Sequence, residues 1–357
     1  MNMMHLDVPL TLRFADLNCD GERARIDAWV RAQAGATPFH LPAWSVAVAR
    51  ACGHISHTLI AERSDNSLAG LLPMTEISSP LFGRALVSNG FAVDGGILTT
   101  EPNAIRQLGE AAWALAQELR CPTLELRGGP AEGTEWLRDE GNYLGFVRDL
   151  AANDDTELLA VPRKQRAEVR KSLASDLEVT VGRDAAAARA HYAVYAQSVR
   201  NLGTPVFPAQ LFREVLSEFG EDADILTVKA NGTPHASVLT LYFNGTAYPY
   251  WGGGTSDARS LRANDRMYFA LMSHARARGC TRFDFGRSKV GTGPAAYKKN
   301  WGFAGTPLSY AKRAAAGQAP REINPLDPRY ALKIAAWKKL PLWVANAVGP
   351  HIAKGLG

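Results

Sequence analysis

The sequence predicts an α/β chain of mixed sheets, built as two successive lobes of one design and closed by a helical tail. Three observations predict it. Helix-period and strand-period segments alternate along the 357 residues. The order of segments in the first half recurs in the second. From residue 319 the strand pattern gives way to two short amphipathic helices. The expected division is 1–152 for the first lobe, 153–318 for the second and 319–357 for the tail, and a chain of this length holds two ordinary domains without staples.

The elements repeat in order. FHLPAW, from Phe39 to Trp44, starts a helix running to Gly53, and FPAQLF, from Phe207 to Phe212, starts one running to Gly220. Strand pairs follow: TLIAER with LAGLLPMTEI in the first half, ILTVKA with HASVLTLYF in the second. Short polar turns (Ser64 to Ser67, Asn231 to Thr233) mark each pair as a hairpin. Glycine runs come next, Asp94-Gly95-Gly96 and Gly252-Gly253-Gly254, then long helices over Asn103–Arg120 and Arg262–Arg278. Each helix leads into an apolar strand opened by Cys121 or Cys280, and each half ends in a Gly-Phe pair, Gly145-Phe146 and Gly302-Phe303. The spacing drifts between halves, and an insertion around LFGRALVSNG accounts for the drift.

Composition narrows the function. Apolar residues make up 46% and charged residues 21%, ordinary for a globular protein, and no run reaches the roughly 20 apolar residues of a membrane-crossing helix. No secretory leader is visible, and the four scattered cysteines form neither a disulfide framework nor a zinc pattern, so a cytoplasmic, metal-free protein is expected. The net charge of +5 is concentrated in Arg163–Lys171 and in the tail from Arg321, which argues for local anion sites over a general nucleic-acid-coating surface. No P-loop and no GxSxG elbow occurs, and His54 and His57 lack the glutamate of a zinc-hydrolase helix. The stretch Gly291 to Ala296 matches GxGxxA in form only, since it contains Pro294 and sits in a loop.

The repeated order of a mixed sheet, splayed near its glycine-rich end and flanked by helices, resembles the acetyltransferase (GNAT) fold. The most specific stretch, from Tyr250 to Tyr310 (YWGGGTSDARSLRANDRMYFALMSHARARGCTRFDFGRSKVGTGPAAYKKNWGFAGTPLSY), with PRKQRAEVRK before it, resembles the FemAB-like acyltransferases, which are tandem GNAT proteins. It is most similar to the subgroup associated with exosortase and PEP-CTERM systems and exopolysaccharide clusters. The resemblance implies transfer of an acyl or aminoacyl group to an amine of a glycan, peptidoglycan-precursor or lipid-linked acceptor. It also implies no bound cofactor, with aminoacyl-tRNA or acyl-CoA as donor. The (Q/R)-x-x-G-x-(G/A) loop that holds coenzyme A pyrophosphate in ordinary GNAT enzymes is missing before both long helices.

The resemblance places Lys298, in YKKNWGF, at the acyl-transfer centre. An ammonium there can hold donor phosphates or offset an oxyanion, while Lys299 is expected to point elsewhere on a strand. Tyr297 is a candidate to protonate the leaving group. Strand alternation sets Phe283 and Phe285 on one face and Asp284 on the other, where Asp284 is either a base for the amine or a structural partner of Arg287 or Lys298. Gly252, Gly253 and Gly254 either admit a ligand to the backbone or form a simple turn. Asn264 and Asp265 cap the following helix, with or without an anion at its free amides. Arg163, Arg166 and Arg170 share a helical stripe suited to phosphate, unless Glu168 pairs with Lys164 across a solvated face. Arg287 and Trp301 complete the candidate substrate site.

In the tail, Tyr330, Ile334 and Trp337 line one side, and Trp337, Trp343 and the lysines suit either a membrane surface or packing on the second lobe. Two other functions stay open: acyl-CoA-dependent acylation of an amino sugar or lipid amine, and a non-catalytic module that binds glycan or lipid phosphate.

Overall fold

A computed structural model describes residues 9–322 and 328–357. These fall into two compact units, one within Met1–Glu140, Ser309–Ile323 and Lys354–Gly357, the other within Gly141–Leu308 and Asn324–Ala353. The first unit runs β1 (Thr11–Phe14), α1 (Asp20–Arg31), α2 (Pro42–Cys52), β2 (Ile55–Glu62), β3 (Leu68–Ser79), β4 (Gly83–Ser88), β5 (Leu98–Thr99), α3 (Pro102–Glu118), β6 (Thr123–Arg127) and β7 (Leu137–Asp139). The second runs β8 (Tyr143–Asp149), α4 (Asp154–Ala160), α5 (Arg163–Leu173), β9 (Glu178–Gly182), α6 (Ala185–Leu202), α7 (Ala209–Phe219), β10 (Ala223–Ala230), β11 (Thr233–Phe243), β12 (Thr246–Gly254), α8 (Ala263–Ala277), β13 (Arg282–Lys289), α9 (Gly293–Asn300) and β14 (Gly305–Pro307). The chain then returns to the first unit as β15 (Tyr310–Ala314), and α10 (Pro328–Lys338) and α11 (Leu342–Ala353) belong to the second.

The two sheets have one plan. The first is ordered β1-β2-β3-β4-β6-β15-β7, with β5 beside β3, and the second β9-β10-β11-β12-β13-β8-β14. Within each sheet every neighbouring pair is antiparallel except one parallel pair at the same place, β4 with β6 and β12 with β13. The expected tandem of mixed-sheet lobes with a helical C-terminal end is what the chain forms.

Three expectations need correcting. The lobes do not divide at 152/153 and 318/319: β8 hydrogen-bonds between β13 and β14 of the second sheet, and β15 between β6 and β7 of the first. Each half therefore contributes one strand to the other's sheet, which an alternating pattern cannot reveal because it records that a strand exists, not which edge it joins. The segment read as an insertion holds β4, the counterpart of β12, so the glycine run at 94–96 lies past the strand end. Finally, the two Gly-Phe pairs do not hold equivalent places: Gly145 and Phe146 lie within β8, whereas Gly302, with φ +84, lies in the turn after α9.

The second unit's core forms where helix and strand periods agree. Ala263, Met267, Leu271 and Ala275 recur every fourth residue of α8 and are fully buried against Val238, Ala247 and Phe283 of the sheet. On the other side, α6 buries His191, Tyr195 and Val199 with Phe212 and Trp251. Helices on both faces leave the strand ends of the sheet as the place where a site can open.

Candidate active site

The parallel pair of the second sheet is short. Only Thr246 with Arg282 and Ala247 with Phe283 are in register, after which β12 continues along β11 and β13 along β8, so the two strands part. Parted strands expose backbone groups that a ligand can use. On the β13 side the ladder is interrupted between Asp284 and Arg287, where Gly286 adopts φ +70, a left-handed conformation that favours glycine. The Asp284 carboxylate accepts the Gly286 amide at 2.8 Å, stitching the bulge from its own strand. Phe283 and Phe285 are buried and Asp284 is half-buried.

Lys298 reads this bulge. From α9 its Nζ donates to the carbonyls of Gly286 at 3.1 Å and Arg287 at 2.8 Å, which leaves the third proton of an ammonium for another acceptor. The Phe146 and Phe285 rings lie 5.3 and 5.7 Å from Nζ, and the residue is 9% exposed. Burial lowers its pKa to about 8, with the Asp284 charge opposing and the Arg287 charge adding to the shift. A cation poised this near neutrality can stabilise negative charge in a dry setting. Lys299 is exposed as expected, but on a helix: Pro294 at the helix start and Thr292 before it initiate α9 where a strand was expected.

A second cluster joins α5, α8 and α9. Asp265 accepts a 2.6 Å hydrogen bond from Gln165, and burial, with help from the Glu168 charge, raises its carboxyl above the usual range. Tyr297 faces it. The Tyr297 Oη is buried without a hydrogen bond of ordinary geometry, as is Trp301 Nε1, and burial and then the Asp265 charge hold the phenol well above its normal pKa. Tyr268 stands 6.0 Å from Tyr297 and 6.2 Å from Trp301 between ring centroids, with burial pushing its phenol up to about 12. Gln165 and Tyr268 were not singled out from the sequence. Tyr268 could have been found three residues beyond Asp265 on one helical face, but the approach of Gln165 across 100 residues has no local signal.

Several candidate binding residues do other work. Arg166 donates from Nε to the Val161 carbonyl at 3.0 Å and from Nη2 to that of Leu159 at 2.8 Å, closing the end of α4, so only Arg163 and Arg170 of the trio are exposed. Glu168 pairs with Lys171 at 2.7 Å and Arg262 at 2.8 Å. The N-cap of α8 is Arg262, in the left-handed region, so Asn264 and Asp265 lie inside the first turn and not at the cap. A Cβ on Gly254 would fall 2.6 Å from Ala258 and 2.7 Å from Asn264, one on Gly253 2.6 Å from Ser198, and one on Gly252 2.9 Å from the Tyr268 hydroxyl. These glycines admit neighbouring helices, and the space over them is filled by the unit's own side chains. Trp301 is fully buried in the core, and Arg287 lies over the Tyr143 ring at 4.7 Å. Among the described residues no group of three or more His, Cys, Asp or Glu is arranged to hold a metal ion.

Residues 162–299 match the family model "Acetyltransferase (GNAT) domain", so the region holding Lys298 and the Asp265 cluster is an acyltransferase domain by sequence. No curated protein matches the chain. Solved structures similar to it include FemX (14% identity, TM-score 0.62, covering 81% of this chain and 95% of that one). A tandem GNAT protein from the clavulanic acid biosynthesis pathway is similar too (13%, TM-score 0.52, 87% and 100%). So is L-PGS from Bacillus licheniformis (12%, TM-score 0.52, 89% and 97%). At these identities the likeness is one of fold, and the fold is tandem GNAT.

Proposed function

We propose that the protein transfers an acyl or aminoacyl group from an activated ester or thioester to an amine, forming an amide on a glycan, peptidoglycan-precursor or lipid-linked acceptor of cell-envelope or exopolysaccharide assembly. The observation that carries this reading is the Lys298 ammonium, held by two carbonyls of the β13 bulge beside the parted strands. The acceptor amine attacks the carbonyl, a C–N bond forms and negative charge develops on oxygen, where the remaining Lys298 proton offsets it. The C–O or C–S bond then breaks, the amine passes its proton to solvent water, and the leaving oxygen or sulfur gains one from an acid that solvent reprotonates. Tyr297, kept protonated by burial and by Asp265, is the group suited to supply that proton. Asp284, committed to the Gly286 amide, serves as the positioning residue that shapes the bulge.

As donor we favour aminoacyl-tRNA. A pyrophosphate normally sits on helix N-terminal amides, but the first turn of α8 carries Asp265, covered by Gln165 from α5. Arg163 and Arg170, both exposed on α5, are placed to hold donor phosphates instead. The acetyltransferase domain match supports acyl-CoA as the second reading. Incubation with labelled aminoacyl-tRNA or labelled acyl-CoA and an amine-bearing envelope extract distinguishes them. Label is expected in an amide product from the tRNA donor, with at least a hundredfold loss in Lys298→Ala. Full turnover by Lys298→Ala, or no amide from either donor, overturns the proposal.

A further inference from the structure

The tail helices α10 and α11 each have a face that packs and a face that does not. Inward, Ile334 and Lys338 of α10 meet Gly203 at the end of α6, and Arg200 donates to the Lys338 carbonyl at 3.0 Å. On α11, Ala345, Gly349 and Ala353 recur every fourth residue and are buried, Gly349 against Val206. These contacts are the packing on the second lobe that the sequence allowed.

The opposite stripes face water. Leu332 is 85% exposed, with Ala336 following at helical spacing along α10 and the exposed Lys339 just past its end, and Trp343 is 76% exposed with Ala347 beyond it on α11. Val348 and, at the end of α6, Leu202 are exposed as well. An isolated exposed leucine needs no explanation, but an exposed tryptophan together with several aliphatic side chains on adjoining helices does. From Pro328 onward the sequence carries Arg329, Lys333, Lys338, Lys339 and Lys354 and no acidic residue. Among the described residues no helix is long and apolar enough to cross a membrane.

We propose that this face docks on a surface of anionic lipid, with Trp343 and Leu332 entering the headgroup boundary and Lys333 and Lys339 held to the lipid phosphates. Indole, amphipathic and flat, partitions to such interfaces, and short helices with an apolar stripe and basic flanks lie in them. Each lysine near an anionic surface adds to binding, and the attraction falls within a Debye length, so the interaction weakens with salt. The uniformly basic charge chooses lipid phosphate over a second copy of the same face, which would set like charges together.

The full-length protein is tested by co-sedimentation with vesicles of phosphatidylglycerol and phosphatidylcholine against vesicles of phosphatidylcholine alone. Binding to the anionic vesicles is expected to be at least tenfold tighter and to fall with added salt. The double variants Leu332→Ser/Trp343→Ser and Lys333→Glu/Lys339→Glu should each lose at least tenfold, with thermal unfolding unchanged. Should the first lose its fold, the second, altered only at exposed lysines, decides. Equal binding to both vesicle types, unaltered binding by the charge variant, or vesicle-free self-association abolished by the same substitutions overturns the proposal. The readout is independent of catalysis, so loss of the acyl-transfer reading would leave it standing.

Discussion

Replacing Lys298 with methionine keeps most of the side-chain volume and removes the charge. Displacement of the lysine pKa from 10.5 to about 8 corresponds to roughly 3 kcal/mol by which the fold disfavours the ammonium at neutral pH. Against that, methionine leaves the Gly286 and Arg287 carbonyls without their donor, a loss of about 1–3 kcal/mol each. The two effects nearly cancel, so Lys298→Met should unfold within about 2 kcal/mol of the wild type at pH 7. The pH dependence is the sharper test. Between about pH 8 and 10.5 the unfolded chain binds the lysine proton more tightly than the native one, so wild-type stability rises with pH relative to the variant, by up to about 3 kcal/mol. Urea unfolding of both proteins across that range measures the difference directly. If Lys298 acts as a cation, kcat/KM should also fall about tenfold per pH unit above about pH 8, from a level at least a hundredfold above that of the methionine variant. A stability difference flat from pH 7 to 10.5 refutes the lowered pKa, and activity that climbs through pH 8 to a plateau refutes the role of Lys298 as a charge.

Three further outcomes follow from the same unit. Asp265→Asn should shift or remove the acid limb of the pH–rate profile, because the raised Asp265 pKa makes activity that needs its carboxylate disappear, as pH falls, above the usual carboxylate range; an unchanged profile excludes it. Arg166→Ala should cost about 1–3 kcal/mol in urea unfolding by leaving the Leu159 and Val161 carbonyls without their donor, yet barely change phosphate affinity, whereas Arg163→Ala/Arg170→Ala should do the reverse and reduce the salt dependence of tRNA binding. Gly254→Ala should destabilise by about 1–3 kcal/mol, read in a thermal melt, since its Cβ overlaps Ala258 and Asn264.

What the sequence displays is governed by periodicity, and what it hides is governed by pairing. Helices α3 and α8 and the strands of both hairpins are legible because buried side chains recur every three or four residues, or in unbroken apolar runs, as at Ala263, Met267, Leu271 and Ala275. Lys298 and Tyr297 are legible only through a motif that resembles a family's. Nothing local shows that Lys298 folds onto the backbone of a bulge, because that contact depends on Gly286 taking positive φ inside an apparently regular strand. Arg166 misleads for a related reason: a guanidinium on an exposed stripe looks available until the chain two turns earlier bends back to offer it carbonyls. The glycines of β12 mislead in the opposite sense, since missing side chains mark a close approach without saying whether helix or ligand makes it.

The exchange of β8 and β15 ties these two lessons to the site. Phe146, fully buried, belongs to β8, which precedes the expected boundary at residue 152, yet its ring lies 5.3 Å from Lys298 Nζ. The same strand fills the gap between β13 and β14, pairing Val147 with Asp284 and Gly145 with Arg287 on the two sides of the bulge. A second lobe cut at 153–318 would therefore lose the strand that holds the bulge open and one of the two rings that desolvate the ammonium. It would also carry β15 with no sheet to join and leave β13 with a free edge prone to pairing with another chain. The burial that lowers the pKa of Lys298 thus draws in part on a strand that precedes the expected boundary.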